Sequence, residues 1–204
     1  MKGLHLLIRF VTFEIYSVKS IINNSAMKKV ILSIFLTLVV LIMAFIAYIW
    51  SGSYNISQLS PHNSITRRII GITVHHSINK RLKEIKVPSL NDTAMIAEGF
   101  EHYNEMCVIC HGAPGVNPSE MTKGLYPEPP LFYKSDDMPE TDEAFWIIKY
   151  GIKMTSMPAF APTHTDSNIW AITAFMLNKM NKMSPSEYQE WVKKSSGMET
   201  ETGK

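Results

Sequence analysis

The chain has 204 residues, of which 46% are hydrophobic and 19% charged, and its 20 basic and 18 acidic residues leave a net charge of +2. This length suits one compact domain with attached segments and excludes a large multidomain enzyme, while the apolar content excludes wholesale disorder. A balanced charge gives no reason to expect nucleic-acid binding, and two cysteines are too few for a disulfide scaffold or a four-cysteine metal site.

Residues 1–26 are apolar, but the segment is too short and too interrupted by Arg9 and Glu14 to span a membrane. Met27 opens the stretch MKKVILSIFL, which has the positive start and apolar run of a bacterial export signal. We interpret residues 1–26 as a cytoplasmic N-terminal extension, and two explanations of it stay open. Translation begins at Met27, or the extension is a short amphipathic segment of the protein.

The next element is an uncharged run of 21 residues from Val30 to Trp50. As a helix it would be about 31 Å long, the thickness of the hydrocarbon core of a bilayer. Lys28 and Lys29 precede it, so the positive-inside rule places the N-terminus in the cytoplasm and the rest of the chain in the periplasm. A cleaved signal peptide is the alternative, but its apolar region is usually shorter. We therefore predict an uncleaved, single-pass anchor in a bacterial inner membrane over residues 27–50.

The two segments that follow differ in charge. Residues 51–88 carry six basic residues and one acidic residue, and we expect a polar, irregular, basic periplasmic tether. Residues 89–183 carry twelve acidic and six basic residues, and we expect the globular domain there. The basic tether suits either proximity to anionic lipid headgroups or simple solubility.

Three helices are predicted inside the domain. The first begins at a cap formed by Asn91 or Asp92. The second runs from Thr141 to a stop at Gly151. The third follows Asp166 and is apolar on more than one face, which predicts that it is buried.

A last helix is predicted in residues 184–204, as a short C-terminal helix with a tail. Ser184, Pro185 and Glu187 form a capping box with proline at the first helical position. No alternating strand pattern of useful length is present in the sequence. The predicted fold class is therefore all-α.

The sequence Cys107-Val108-Ile109-Cys110-His111 directly follows the first predicted helix and is the attachment pattern of a c-type haem. Two thiols three positions apart can reach the two vinyl groups of one porphyrin, and the adjacent histidine then faces the iron. A thioredoxin-like pair would need a preceding strand, and a zinc site would need further ligands. We expect Cys107 and Cys110 to hold one haem c covalently and His111 to be the proximal iron ligand.

A distal ligand is sought among 13 methionines, most of which must be packing residues. Met154 and Met157 lie in GIKMTSMPAF, a loop between the second and third predicted helices, where the chain can cross the distal face. Pro158 keeps Met157 extended, so Met157 is the predicted ligand and Met154 the reserve. Nitrogen ligands are the alternative, although each candidate is better explained as a surface or tether residue: His75, His76, His102 and His164.

Together these motifs resemble a membrane-anchored class I cytochrome c of the single-haem type, over roughly residues 89–183. The resemblance implies a small helical domain around one haem and, from the MPAF element at Met157, His/Met ligation. In this family a glycine and an aromatic of the N-terminal helix pack on an aromatic of the C-terminal helix. The resemblance therefore implies that Gly99 and Tyr103 meet Trp170.

The resemblance also implies a proline-containing loop whose backbone carbonyl accepts a hydrogen bond from the proximal histidine ring. The candidate loop is residues 126–131, with Tyr126 as a packing residue and Pro129 or Pro130 providing the carbonyl. From the sequence, either proline can take that role.

Two strong axial ligands leave no open position for a substrate, so a His/Met haem serves electron transfer and is not by itself an enzyme. We expect a one-electron carrier on the outer face of the inner membrane that exchanges electrons with respiratory proteins and binds no nucleic acid. The alternatives are a haem c subunit of an exported dehydrogenase or oxidase, and a sensor or peroxidase in which Met157 dissociates. The acidic domain suits a partner with a basic docking face, or Lys149 and Lys153 form a local basic rim.

Overall fold

The computed structural model describes residues 25–135 and 138–202, with side chains up to residue 197. The predicted extension over residues 1–26 therefore lies almost wholly outside the described residues. The chain divides into two compact units, residues 1–56 and 57–204. The described residues form helices and turns but no strand, apart from an isolated antiparallel bridge between Ala113 and Val116.

The first unit contains helix α1, Ser25–Trp50, of 26 residues. None of its side chains is buried within the protein, and its length and composition allow it to cross a membrane, as a signal sequence near an N-terminus also could. The Thr37 hydroxyl donates a hydrogen bond to the Ser33 carbonyl oxygen at 2.9 Å. The Thr37 hydroxyl is thus paired within the helix, as an apolar environment requires.

The second unit contains six α-helices, joined by short 3₁₀ turns, within the described residues. In chain order the α-helices are α2 Ser64–Leu82, α3 Thr93–His102, α4 Val108–His111, α5 Thr141–Tyr150, α6 Asp166–Asn178 and α7 Pro185–Thr202. The all-α prediction is confirmed.

Helix α2 corrects the expectation that residues 51–88 are irregular. The Asn63 side chain caps the helix by accepting a hydrogen bond from the Thr66 N–H at 2.9 Å. Ile78 is buried, and α2 packs against α5. The Asn63 cap and the buried Ile78 hold this helix, but its apolar residues lie on more than one side, so no single amphipathic period marks it in the sequence.

The three helices predicted inside the domain are present at the expected places. Asp92 caps α3 by accepting from the Ala94 N–H at 2.9 Å, and α5 begins at Thr141 and ends before Gly151. The cap of α6 is Thr165, whose hydroxyl and backbone form a reciprocal capping box with Asn168. Residues 169–176 of α6 are all buried, as an all-round apolar helix requires.

Helix α7 has 18 residues and is longer than the short helix predicted. The Glu187 N–H donates to the Ser184 hydroxyl at 3.1 Å, so half of the predicted capping box is present. The Glu187 carboxylate instead pairs with Lys179 at 2.6 Å. Tyr188 and Trp191 place their rings 5.4 and 5.2 Å from that of Phe100 on α3, which makes α7 part of the core.

The centre of the domain is the crossing of α3 over α6. A Cβ atom added to Gly99 would lie 1.8 Å from the carbonyl oxygen of Ala171, so the two backbones are in direct contact. Beside this crossing the Tyr103 ring packs on Phe175, 5.5 Å away, whereas Trp170 stacks on Phe145 of α5 at 3.9 Å.

The aromatic partner of Tyr103 is therefore Phe175 and not the predicted Trp170. Phe175 lies four positions after Ala171, on the same face of α6, while Trp170 is turned about 100° away from Ala171 and faces α5.

Candidate functional site

A nearly continuous helical segment carries the cysteine motif. Helix α3 leads into a π-helical turn at Tyr103–Cys107, and α4, Val108–His111, follows directly. Helical spacing of three positions sets Cys107 and Cys110 on one face, and π turns inside helices are frequent at functional sites. The rigid helix that crosses α6 therefore also positions both cysteines.

The burial of Cys107 and the raised pKa of its thiol argue against a redox-active cysteine pair. Cys107 is 9% exposed, and neither cysteine forms a disulfide. Burial, with a smaller contribution from Cys110, raises the pKa of the Cys107 thiol to about 12. Thioredoxin-like pairs work through a lowered thiol pKa, so this microenvironment does not suit that chemistry.

A zinc site is not supported either. Within residues 25–135 and 138–202, no group of three or more His, Cys, Asp or Glu side chains is arranged to hold a metal ion. The four histidines considered as alternative ligands lie in two pairs. The rings of His75 and His76 are 5.7 Å apart on α2, and those of His102 and His164 are 5.2 Å apart.

His111 is held by the loop that follows the motif. Its Nδ1 atom lies 2.9 Å from the Pro130 carbonyl oxygen, and because a carbonyl only accepts, the Nδ1–H must donate. The lone pair of Nε2 is then available for a metal. Of the two prolines considered from the sequence, Pro130 is the one at hydrogen-bond distance.

The surroundings of His111 favour its neutral form, which is the form that binds metals. Burial lowers the pKa of the imidazole, and the hydrogen bond to Pro130 offsets part of that effect. The Phe132 ring stacks on the imidazole with a centroid distance of 4.9 Å. Sequence reasoning missed Phe132, although it is an aromatic residue only two positions after Pro130. Tyr126 packs edge-on against His62 at 5.6 Å.

A buried hydroxyl connects the α3–α6 crossing to the motif. Tyr103 is fully buried and donates a hydrogen bond to the Gly112 carbonyl oxygen at 2.8 Å, and burial strongly raises the pKa of its phenol. Gly112 ends α4 with φ of +62°, where a Cβ atom would lie 2.9 Å from the Tyr133 ring and from the Val116 carbonyl oxygen. The turn after His111 thus depends on Gly112 for its backbone conformation and on the Tyr103 hydroxyl for a hydrogen bond to its carbonyl.

We expect Tyr103→Phe to lower the free energy of unfolding by about 1–2 kcal/mol, because it leaves the Gly112 carbonyl unpaired in the core. Urea unfolding followed by circular dichroism measures the change. Tyr188→Phe is the comparison, since the Tyr188 hydroxyl bonds at 2.9 Å to the half-buried Asn104 side chain, which can turn toward solvent, and not to a backbone carbonyl. A smaller loss for Tyr103→Phe than for Tyr188→Phe would contradict this role.

The loop that carries the candidate distal ligands is tied to the end of α5. The backbone N–H groups of Phe160 and Ala161 donate to the carbonyls of Ile148 and Lys149 at 3.2 and 3.0 Å. Gly151 has φ of +66°, and a Cβ atom there would lie 2.7 Å from the Met157 carbonyl oxygen. Gly151 was predicted only as a helix stop, but it also allows the loop to pack this closely.

The two candidate methionines occupy different environments. Met157 is partly buried and packs against the hydrophobic core, and its N–H donates to the Thr155 hydroxyl at 3.2 Å. The Met154 side chain is 83% exposed, on a backbone with φ of +63°. Of the two methionines, Met157 is therefore the one whose side chain packs against the domain.

Of the two lysines predicted to form a basic rim, only Lys153 keeps a charge that no neighbouring carboxylate of the described residues is shown to offset. Lys149 pairs with the Asp166 carboxylate at 2.6 Å, and the hydrogen bond to that carboxylate raises the pKa of the lysine. Its charge is thus largely offset by Asp166. Lys153 is exposed.

Comparison with known families identifies the segment that contains this site. Residues 94–176 match the family model described as cytochrome c oxidase, cbb3-type, subunit III. The match extends from α3 to α6 and covers less than half of the chain, but it includes the cysteine motif, Pro130 and Met157. No curated protein matches the sequence.

Proposed function

We propose that this chain, whose residues 94–176 are a cytochrome c domain of the class I type, is a one-electron carrier with a His/Met-ligated haem. A cytochrome c domain implies haem-based electron transfer. The sequence has a single CxxCH pattern, which supports one haem per chain, attached through Cys107 and Cys110. The observation that carries the proposal is the orientation of His111 by Pro130 directly after this cysteine pair.

The donor set on the proximal side fits a haem iron. The Nδ1–H of His111 is committed to the Pro130 carbonyl, so the ring is held in one tautomer and Nε2 would be the coordinating atom. Stacking by Phe132 restricts rotation of the imidazole. When bound, the haem supplies the one-electron couple, and these residues set the direction and basicity of its proximal ligand.

On the distal side we propose Met157 as the second axial ligand. Its placement against the core, on a loop whose backbone is bonded to α5, supports this role, and the exposure of Met154 counts against the reserve candidate. A thioether ligand raises the reduction potential. With both axial positions filled by the protein, electron transfer is favoured over reactions that bind a substrate to the iron.

Covalent attachment is tested with the protein made in a host that has c-type maturation machinery. We expect the haem to stay with the wild-type polypeptide on a denaturing gel and after acidified-solvent extraction. A variant with both Cys107→Ser and Cys110→Ser should carry no haem after either treatment, because no thioether can form. Wild-type haem that is extracted by the solvent, or no haem at all, would contradict the proposed attachment.

The location of the carrier is proposed from α1. Its length and composition suit a membrane anchor, and Lys28 and Lys29 at its start favour a cytoplasmic N-terminus with the haem domain in the periplasm. Protease added to spheroplasts should then digest the haem domain, and protection from protease until the cells are lysed would contradict this orientation.

A second candidate function is a haem c subunit of an oxidase complex in the respiratory chain. The description of the matched family model, an oxidase subunit, favours it. Purification of the full chain in a mild detergent separates the two functions. A subunit should bring a catalytic partner with it in fixed stoichiometry, whereas a carrier should purify alone.

A further inference from the structure

Helix α2 is attached to the haem domain by one of its faces. Ile78 is buried at 3% exposure, and α2 packs against α5. One turn further on, the Arg81 guanidinium donates hydrogen bonds to the carbonyl and hydroxyl oxygens of Ser77 at 2.7 and 2.8 Å. Because Ile78 is buried, the opposite side of the helix is turned away from the domain.

The outward face bears a stripe of isoleucines. Ile65, Ile69 and Ile72 follow the i, i+4, i+7 spacing of one helical face, and their exposed fractions are 73%, 60% and 51%. Ile78 lies on the opposite side of the helix at 100° per residue. A row of exposed large aliphatic side chains is typical of a surface that contacts something apolar.

The charge of α2 indicates what that contact is. The helix contains four basic residues, Arg67, Arg68, Lys80 and Arg81, and no acidic residue. At helical spacing, Arg68 and Lys80 flank the isoleucine stripe on its two sides. An apolar stripe bordered by cations is the pattern of a helix that lies in the headgroup region of an anionic membrane.

We propose that α2 lies on the outer surface of the membrane, with Ile65, Ile69 and Ile72 (the isoleucine stripe) among the lipid headgroups and with Arg68 and Lys80 facing anionic lipid. This inference rests on the proposed membrane anchor, since α1 ends at Trp50 and α2 begins at Ser64. The 13 residues between them can extend over at most about 45 Å. The stripe is therefore always within reach of the surface that the anchor enters.

The contact would orient the haem domain as well as hold it. A flexible tether alone would let the domain rotate freely, but α2 packs against α5. With its outward face on the lipid, α2 keeps the domain in one orientation relative to the membrane plane. That restriction shortens the search for a redox partner in the same membrane.

The test uses the full-length, haem-loaded protein with a nitroxide spin label at Ile69→Cys, reconstituted in vesicles of seven parts phosphatidylcholine and three parts phosphatidylglycerol. The control label is at Gly71→Cys, about 160° around the helix from Ile69, where a Cβ atom meets nothing within 4 Å. Collision rates with oxygen and with a water-soluble nickel chelate report the depth of each label.

We expect a several-fold higher ratio of oxygen to nickel collisions at Ile69→Cys than at Gly71→Cys, and a fall in that ratio when Arg68→Glu and Lys80→Glu are added. Equal ratios at the two sites would overturn the proposal. The same label is also measured in native membranes. Protection of Ile69→Cys from the nickel chelate there, but not in the lipid vesicles, would also overturn the proposal, since it would indicate a membrane-protein partner. The haem spectrum of the same samples reports on the proposed electron carrier independently, so failure of either proposal is recognised separately.

Discussion

Met157→Ala should abolish the far-red sulfur-to-iron band of the oxidised haem and lower the reduction potential by on the order of 0.1 V or more. As the proposed distal ligand, the Met157 thioether would stabilise ferrous over ferric iron, and alanine offers no ligand in its place. The loop backbone should keep its path, because its hydrogen bonds to Ile148 and Lys149 involve only main-chain atoms. Absorption spectra of both oxidation states and a redox titration measure the two effects.

Met154→Ala is the matched control for this substitution. It removes the same side chain from the same loop, three residues away, where the thioether is 83% exposed. Its spectrum and potential should equal those of the wild type. If Met154→Ala loses the band and Met157→Ala keeps it, the distal assignment must be exchanged between the two methionines. If neither does, the distal ligand is another residue.

Gly99→Ala should destabilise the haem domain by about 3 kcal/mol or more, at the upper end of the range for overpacked cores. The added methyl group would lie 1.8 Å from the Ala171 carbonyl oxygen and 2.3 Å from its carbon. Both atoms belong to the backbone of α6, so no side chain can rotate away and the two helices must separate. Denaturant unfolding of the haem-loaded protein, followed by far-ultraviolet circular dichroism, gives the free-energy change.

Gly71→Ala controls for the intrinsic effect of adding a methyl group to a helical glycine. Gly71 lies on α2, and nothing is within 4 Å of its added Cβ atom. This substitution should stabilise α2 by about 0.5–1 kcal/mol, since alanine is the better helix former. Equal effects of the two substitutions would contradict a backbone contact at the crossing of α3 and α6.

Local signals in the sequence were sufficient for the boundaries of two of the domain helices. Asp92 caps α3, the acidic first turn of α5 follows Thr141, and Gly151 ends that helix, so each boundary depends on residues within one turn of it. Helix α2 was missed because its isoleucines are divided between two sides: Ile78 is buried, whereas Ile65, Ile69 and Ile72 are exposed on the opposite side. Apolar residues on both sides of a helix blur the single amphipathic period by which a helix is recognised in a sequence.

The candidate site was predictable in its residue types and less so in its contacts. Cys107, Cys110 and His111 follow from a local motif, and the structure places all three at the end of the helix that crosses α6. The choice of Pro130 over Pro129 depends on the direction of one carbonyl in a turning loop. The direction of a single backbone carbonyl cannot be predicted from the residue types alone.

The packing partner of Tyr103 could not be predicted from residue types either. Phe175 and Trp170 are both aromatic residues of α6, and only the rotation of that helix at its crossing with α3 decides between them. Close approach at Gly99 determines this rotation, because it brings the backbone at Ala171 against α3. The sequence identified Gly99 as a packing position but does not contain the rotation of α6 about its own axis.

The burial of Cys107 has a consequence for the biogenesis of the protein. In the folded domain this thiol is 9% exposed, and its raised pKa leaves almost none of it as thiolate at neutral pH. The finished fold is therefore a poor acceptor for a porphyrin. We expect the proposed thioether bonds to form before the fold buries Cys107. The order of events would then be attachment first and folding second.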